Sequence, residues 1–138
     1  MMLVKADKNT EAGVMPEEKL IAEMMQYNEE LSKAGVLLDL AGLQPSSKGA
    51  RIKFSPGGKR AVVDGPFTET AGLVAGYWLI QVKSKEEAIE WASRAPAPQG
   101  EDAECEIELR QLFELDDFAP SPAIDKARKL ESELAKRK

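Results

Sequence analysis

The chain predicts an α+β fold, a split βαβ sheet of ferredoxin-like type with its helices on one face. Three observations point there. Two amphipathic helical stretches are separated by a block of strand-like segments. Short alternating segments open and close the chain around that block. The order strand, helix, three or four strands, helix, strand, with a long antiparallel block between the helices, suggests a split βαβ sheet.

Taken in order, Met1 to Lys5 is a short opening strand and Lys8 to Val14, polar and holding Gly13, a loop. Pro16 suits the first position of a helix, with Glu17 and Glu18 facing the helix dipole. Leu20, Ile21, Met24, Met25, Asn28 and Leu31 then keep 3–4 spacing up to Gly35. Val36 to Leu40 is a strand and Leu43 to Gly49 a polar turn segment. Ala50 to Ser55 alternates Ile52 and Phe54 with Arg51 and Lys53; Pro56-Gly57-Gly58 turns the chain back through Lys59 to Val63. Ala75 to Val82 is the most strand-like segment, part of an apolar run interrupted at Gly76. Ser84 followed by Glu87 is a capping-box pattern, so a second helix runs from about Lys85 to Ala95 and stops at Pro96 and Pro98. Its apolar face holds Ala88, Ile89 and Ala92, with Trp91 beside them. Glu104 to Phe113 alternates again, with Cys105, Ile107, Leu109 and Phe113 on the apolar side, which makes Cys105 an inert core residue. Pro122 to Lys138 is a charged helix with few apolar positions. We divide the chain into a domain over residues 1–120 and a helical extension over 121–138.

Composition excludes several functions. The formal charge is −5, and the basic residues from Lys126 to Lys138 alternate with Glu131 and Glu133. That argues against nucleic acid as a partner, because phosphate contacts need a clustered basic surface. No apolar run approaches the ~20 residues that cross a bilayer, and no secretory leader precedes Leu3. With one cysteine there is no internal disulfide framework. The expectation is a cytoplasmic protein without a membrane partner. Histidine is absent, which removes His-Asp dyads, Ser-His-Asp triads and histidine-based metal sites. The acidic groups Glu86-Glu87-Glu90 and Glu101 to Glu108 are too spread for a metal site, and no cofactor is implied.

The stretch that carries most information is Asp64-Gly65-Pro66-Phe67-Thr68-Glu69-Thr70. Glycine admits positive φ and proline fixes φ near ~−65°, so the turn holds Asp64 stiffly beside Phe67. A partly desolvated Asp64 is a usable acid or base; as an Asx turn it only caps backbone amides. Arg51, on the strand leading into the hairpin, is either an anion clamp or a surface arginine. Ser46 and Ser47 on the preceding turn offer hydroxyl donors to an anion, and as turn residues need no further role. Tyr77 and Trp78 point to opposite sides of their strand, suiting either a pocket wall or core packing.

This motif resembles the YCII-related family, in the branch named for its Asp-Gly-Pro-Phe sequence. The resemblance runs from about Met2 to Phe118 and includes Ala34-Gly35-Val36-Leu37-Leu38, Leu43-Gln44-Pro45-Ser46-Ser47, Gly76-Tyr77-Trp78, Ser84-Lys85-Glu86-Glu87-Ala88, Trp91-Ala92 and Asp116-Asp117-Phe118. It implies a dimeric α+β barrel, related in shape to muconolactone isomerase, with an aspartate near the dimer cleft. Where family members often carry Lys-Glu, this chain has Ala71-Gly72, and the histidine that partners aspartate in one branch is missing. Pattern alone also favours a homodimer, since two helices on one face leave the other sheet face uncovered.

Three functions are open at this point. One is a cofactor-free acid–base enzyme using Asp64, with Arg51, Ser47, Phe67, Tyr77 and Trp78 around an unknown small molecule. The second is a non-catalytic sensor or accessory module acting through a protein partner, a role the resemblance suggests because similar domains occur joined to alternative sigma factors. The third makes the motif purely structural.

Overall fold

The computed structural model describes residues 1–101 and 103–137. Asp102, inside the acidic run, and Lys138, at the end of the expected last helix, lie outside them. The elements in order are β1 (Met2–Lys5), α1 (Lys8–Glu11), α2 (Glu18–Lys33), β2 (Leu37–Gly42), β3 (Ala50–Ser55), β4 (Lys59–Asp64), β5 (Val74–Ile80), α3 (Lys85–Ser93), β6 (Ile107–Leu109) and α4 (Pro122–Ala135). Short 3-10 turns occupy Ser46–Lys48, Thr70–Gly72 and Leu115–Asp117.

The sheet order is β2-β5-β1-β6, with every pairing antiparallel. This is the ferredoxin-like arrangement, with the hairpin β3–β4 inserted as a separate two-stranded sheet. Register fixes the faces. Met2 lies opposite Trp78 on one side and Leu109 on the other, and Leu40 lies opposite Trp78 from the far edge. Because strand side chains alternate, these residues share one face, and α2 and α3 cover it. Met2, Tyr27, Leu31, Val36 and Trp78 form the core, with Met24, Trp91, Ala92, Ile107 and Leu109 packed against it. Tyr27 and Trp78 meet edge to face at 5.4 Å. The Tyr27 hydroxyl donates to the Trp91 carbonyl at 2.6 Å, tying α2 to α3 across the core.

Local chemistry explains the boundaries. Ser84 Oγ accepts from the Glu87 amide at 3.1 Å, which starts α3 where its cap predicts. The Glu87 carboxylate accepts from the Lys83 amide at 2.9 Å, one residue before the cap, so the return bond of a strict capping box is shifted. Ser121 caps α4 through the Ile124 amide at 3.2 Å.

Four expectations are corrected. The polar segment read as a loop contains α1, because Asp7 and Thr10 form a reciprocal capping box, each side chain accepting from the other's amide at 2.8 Å. The last strand is only Ile107–Leu109, which leaves Cys105 exposed rather than in the core and Phe113 80% exposed. In α3 it is Trp91 and Ala92 that pack inward, while Ile89 faces out. α2 begins at Glu18 with Glu17 at its N-cap position, so Pro16 lies before the helix rather than in its first turn.

Candidate functional site

The motif loop is fastened to the turn before β3 rather than free in solvent. Gly65 N–H donates to the Gly49 carbonyl at 3.0 Å. A Cβ on Gly65 would lie 1.8 Å from the Ser46 carbonyl oxygen, so glycine is required here by close approach. Positive φ is not the reason, since Gly65 is not among the glycines that adopt it. The Gly65–Pro66 peptide is cis. Ser46 is the hub: its Oγ accepts from the Phe67 amide at 2.9 Å. Its own amide and hydroxyl donate to the two carboxylate oxygens of Glu11. Those bonds, the side-chain one foremost, hold the Glu11 carboxyl below its ordinary pKa.

Of the residues expected at a site, Arg51 and Phe67 come together. The Arg51 guanidinium stacks over the Phe67 ring at 3.8 Å, and its NH1 donates to Glu69 Oε2 at 3.1 Å. The cation is thus already paired by a ring and a carboxylate. Asp64 ends β4 opposite Ala50, exposed, and its carboxylate has no hydrogen-bond or ion-pair partner among the described residues. The turn cap that an Asx reading gives Asp64 is supplied instead by Ser46. Ser47 is exposed beside this hub.

Trp78 belongs to a different place, a cleft of about 760 Å³ between α2, α1 and the β2–β5 edge. Trp78 is buried, and its indole N–H donates to Asn28 Oδ1 at 2.7 Å. Tyr77 turns to the other sheet face, where its hydroxyl donates to Asp39 Oδ2 at 3.2 Å. The negative charge of Asp39 pushes the Tyr77 pKa above its ordinary value.

The cleft exists because two glycines face each other on its floor. Gly42 and Gly76 are opposite in register, two residues along from Leu40 and Trp78, and so lie on the helix-facing side. A Cβ on Gly42 would meet nothing within 4 Å, whereas one on Gly76 would press the Ala41 carbonyl at 2.9 Å. Asn28, Gln99, Gly42 and Gly76 are the lining residues that sequence reasoning missed. The signal for the two glycines was Gly76 itself, in the middle of the most apolar strand, where a glycine marks an open space or a close backbone approach. α1 links the two places: Thr10 lines the cleft, and Glu11 next to it anchors Ser46 under the motif loop.

Among the described residues no group of three or more Cys, Asp or Glu side chains is placed to hold a metal ion. No helix is long and apolar enough to cross a membrane.

A family model described as the YCII-related domain matches residues 1–111. An uncharacterized protein of Rhizobium meliloti is 32% identical over 76 residues, which cover 55% of this chain and 60% of that relative. The chain therefore matches less than two-thirds of the length of this curated relative.

Proposed function

This chain belongs to the YCII-related family, and from that premise we propose that it binds a small molecule in the cleft between α2 and the β2–β5 edge. One observation carries the reading. Val14, Met15, Ile21, Met25 and Leu40 are each between 42% and 78% exposed, and all five border this cleft. Single exposed apolar side chains are ordinary; a ring of them around one concavity is a binding surface. The volume falls within the ~300–1,000 Å³ typical of ligand pockets.

In the same reading a second copy covers the sheet face opposite the helices. Leu3, Tyr77 and Leu79 lie there half-buried, and the polar groups beside them are matched within the chain. Lys5 Nζ lies 3.8 Å from Glu108 Oε1, and Tyr77 donates to Asp39. Paired groups cost less to bury than lone ones. Asp64, the acid or base of the catalytic alternative, is exposed and off the cleft, so this reading gives it no part in binding.

The test is Nile red, a neutral dye that brightens in apolar sites. The wild-type chain is expected to give saturable enhancement. Gly42→Val, which fills the cleft floor without a backbone clash, is expected to weaken it by at least about tenfold with thermal unfolding unchanged. Asp64→Asn is expected to leave it unaltered. Full dye binding by a folded Gly42→Val protein would sink the reading.

A further inference from the structure

We propose that the β3–β4 hairpin is an arm by which two copies of the chain clasp each other. Its apolar face lies on the open sheet face of the other copy, with Arg60 of each beside Asp39 of the other. This rests on the reading that a second copy covers that sheet face, and it names the segment that does so.

The first support is the isolation of the hairpin. Every residue from Ile52 to Asp64 is exposed, and β3 and β4 pair only with each other. A lone two-stranded ribbon is marginal in water and gains stability when another element covers its apolar face. Its base is fixed, because Gly65 N–H bonds the Gly49 carbonyl and Gly65 sits too close to the Ser46 carbonyl for any Cβ. An arm held in this way does not fold back over its own chain, so its cover comes from another molecule.

The second support is charge. Between residues 48 and 64 stand Lys48, Arg51, Lys53, Lys59 and Arg60 against Asp64 alone, in a chain of formal charge −5. Two such hairpins repel each other, whereas the rest of a second copy is acidic and attracts them. Of these cations only Arg51 has an ion-pair partner among the described residues, Glu69.

The third support is the match between the two faces. Ile52 stands opposite Val62 and Phe54 opposite Arg60, so these four side chains share one face of the hairpin. The Arg60 guanidinium lies 4.9 Å from the Phe54 ring. On the sheet, Leu3 stands opposite Tyr77 and Asp39 opposite Leu79, so these four share the face away from the helices. Asp39 accepts from the Tyr77 hydroxyl and from the Leu40 amide, yet no cation pairs with it among the described residues. Each face therefore carries three large apolar or aromatic side chains and one unneutralised charge, and the two charges are opposite. In a two-fold pair such a contact is made twice, once in each direction.

The experiment measures the dimer dissociation constant of the full chain by sedimentation equilibrium. The wild-type chain is expected to dimerise, and more weakly as salt rises. Phe54→Ser and Arg60→Asp should each weaken the dimer by about tenfold or more, with far-UV circular dichroism unchanged. Asp39→Arg should do the same. Combined with Arg60→Asp, it should bring the constant back to within about threefold of wild type, the signature of a direct pair. Combined instead with Lys126→Asp on α4, which restores the net charge away from both faces, it should not. A double variant that fails to recover, or a control that recovers as well, overturns the pairing of Arg60 with Asp39. A dimer unmoved by both Phe54→Ser and Arg60→Asp overturns the arm, and its dissociation by Leu79→Lys would leave the sheet face standing as the interface. A wild-type chain still monomeric at about millimolar concentration overturns the arm and the covered sheet face together. Binding of that monomer to phosphatidylglycerol vesicles, lost in Arg60→Asp, would then assign the hairpin to a lipid surface instead.

Discussion

The four-stranded sheet and the β3–β4 hairpin are written in the same alternating code, yet only the sheet has its cover inside the chain. Met2 and Leu31 are 0% exposed and Trp78 6%, whereas Phe54 is 70% and Val62 69% exposed. In the hairpin Ile52 faces Val62, and Phe54 faces Arg60, whose guanidinium lies 4.9 Å from the ring. These residues form an apolar face as regular as any in the core. Alternation declares that a strand has two unlike faces. It does not say which molecule covers the apolar one. For β1, β5 and β6 the answer is α2 and α3; for the hairpin no other element among the described residues provides it.

Leu31→Ala should give the largest effect, since it empties a fully buried site; a loss of ~2–5 kcal/mol is expected from urea unfolding. Phe54→Ala, by contrast, should stay within ~0.5 kcal/mol in dilute solution. A larger Phe54 effect that grows with protein concentration would show that another copy roofs the hairpin. Equal costs for the two at low concentration would break the comparison outright.

Gly65→Ala comes next, because its Cβ cannot coexist with the Ser46 carbonyl. A cost of ~1–3 kcal/mol is expected, as for overpacking, with the damage confined to the junction. Hydrogen exchange should speed at the Phe67 amide and stay slow at the amide of Val4, inside β1. Loss of protection in both would mean that hairpin and sheet form one cooperative unit.

The smallest effect is the acid response of Glu11. Its folded pKa is depressed, so its share of stability is present above the unfolded value of about 4.5 and is lost as pH falls through the folded value. The Ser46 and Phe67 amide resonances should therefore move together below about pH 4.5, with core resonances still. Glu11→Gln should abolish that joint movement.

Much of the architecture was legible because it is local. The 3–4 spacing from Leu20 to Leu31, the alternation of Ala50 to Ser55, and the Ser84 cap each act over a few residues. They survive as α2, β3 and the start of α3. Where the signal was read too broadly, tertiary context decided. Cys105 and Phe113 continue the alternation of Ile107 and Leu109, but no partner strand extends that far, so the pattern ran past the structure. α1 was missed because a four-residue helix has no periodicity, only its Asp7–Thr10 cap.

The candidate site was less legible still. Asp64, Arg51, Ser47 and Phe67 gather near one loop, but Trp78 and the apolar rim lie elsewhere. That division depends on Gly42 meeting Gly76 across two strands far apart in sequence. Gln99 carried no signal, since its bond to the Lys5 carbonyl at the end of β1 exists only once the chain has folded.

The inserted hairpin also bears on the order in which the molecule assembles. Its pairings, from Ser55–Lys59 outward to Ala50–Asp64, are all local, and hairpins close in ~1–10 μs. The central strand β1 has only distant partners, Trp78 and Leu109 for Met2, so the sheet must wait for large loops to close. The hairpin can therefore form early, presenting Ile52, Phe54 and Val62 on a ready template while the sheet is still incomplete. The interval between those two events is when a crowded chain is most exposed to pairing with the wrong neighbour.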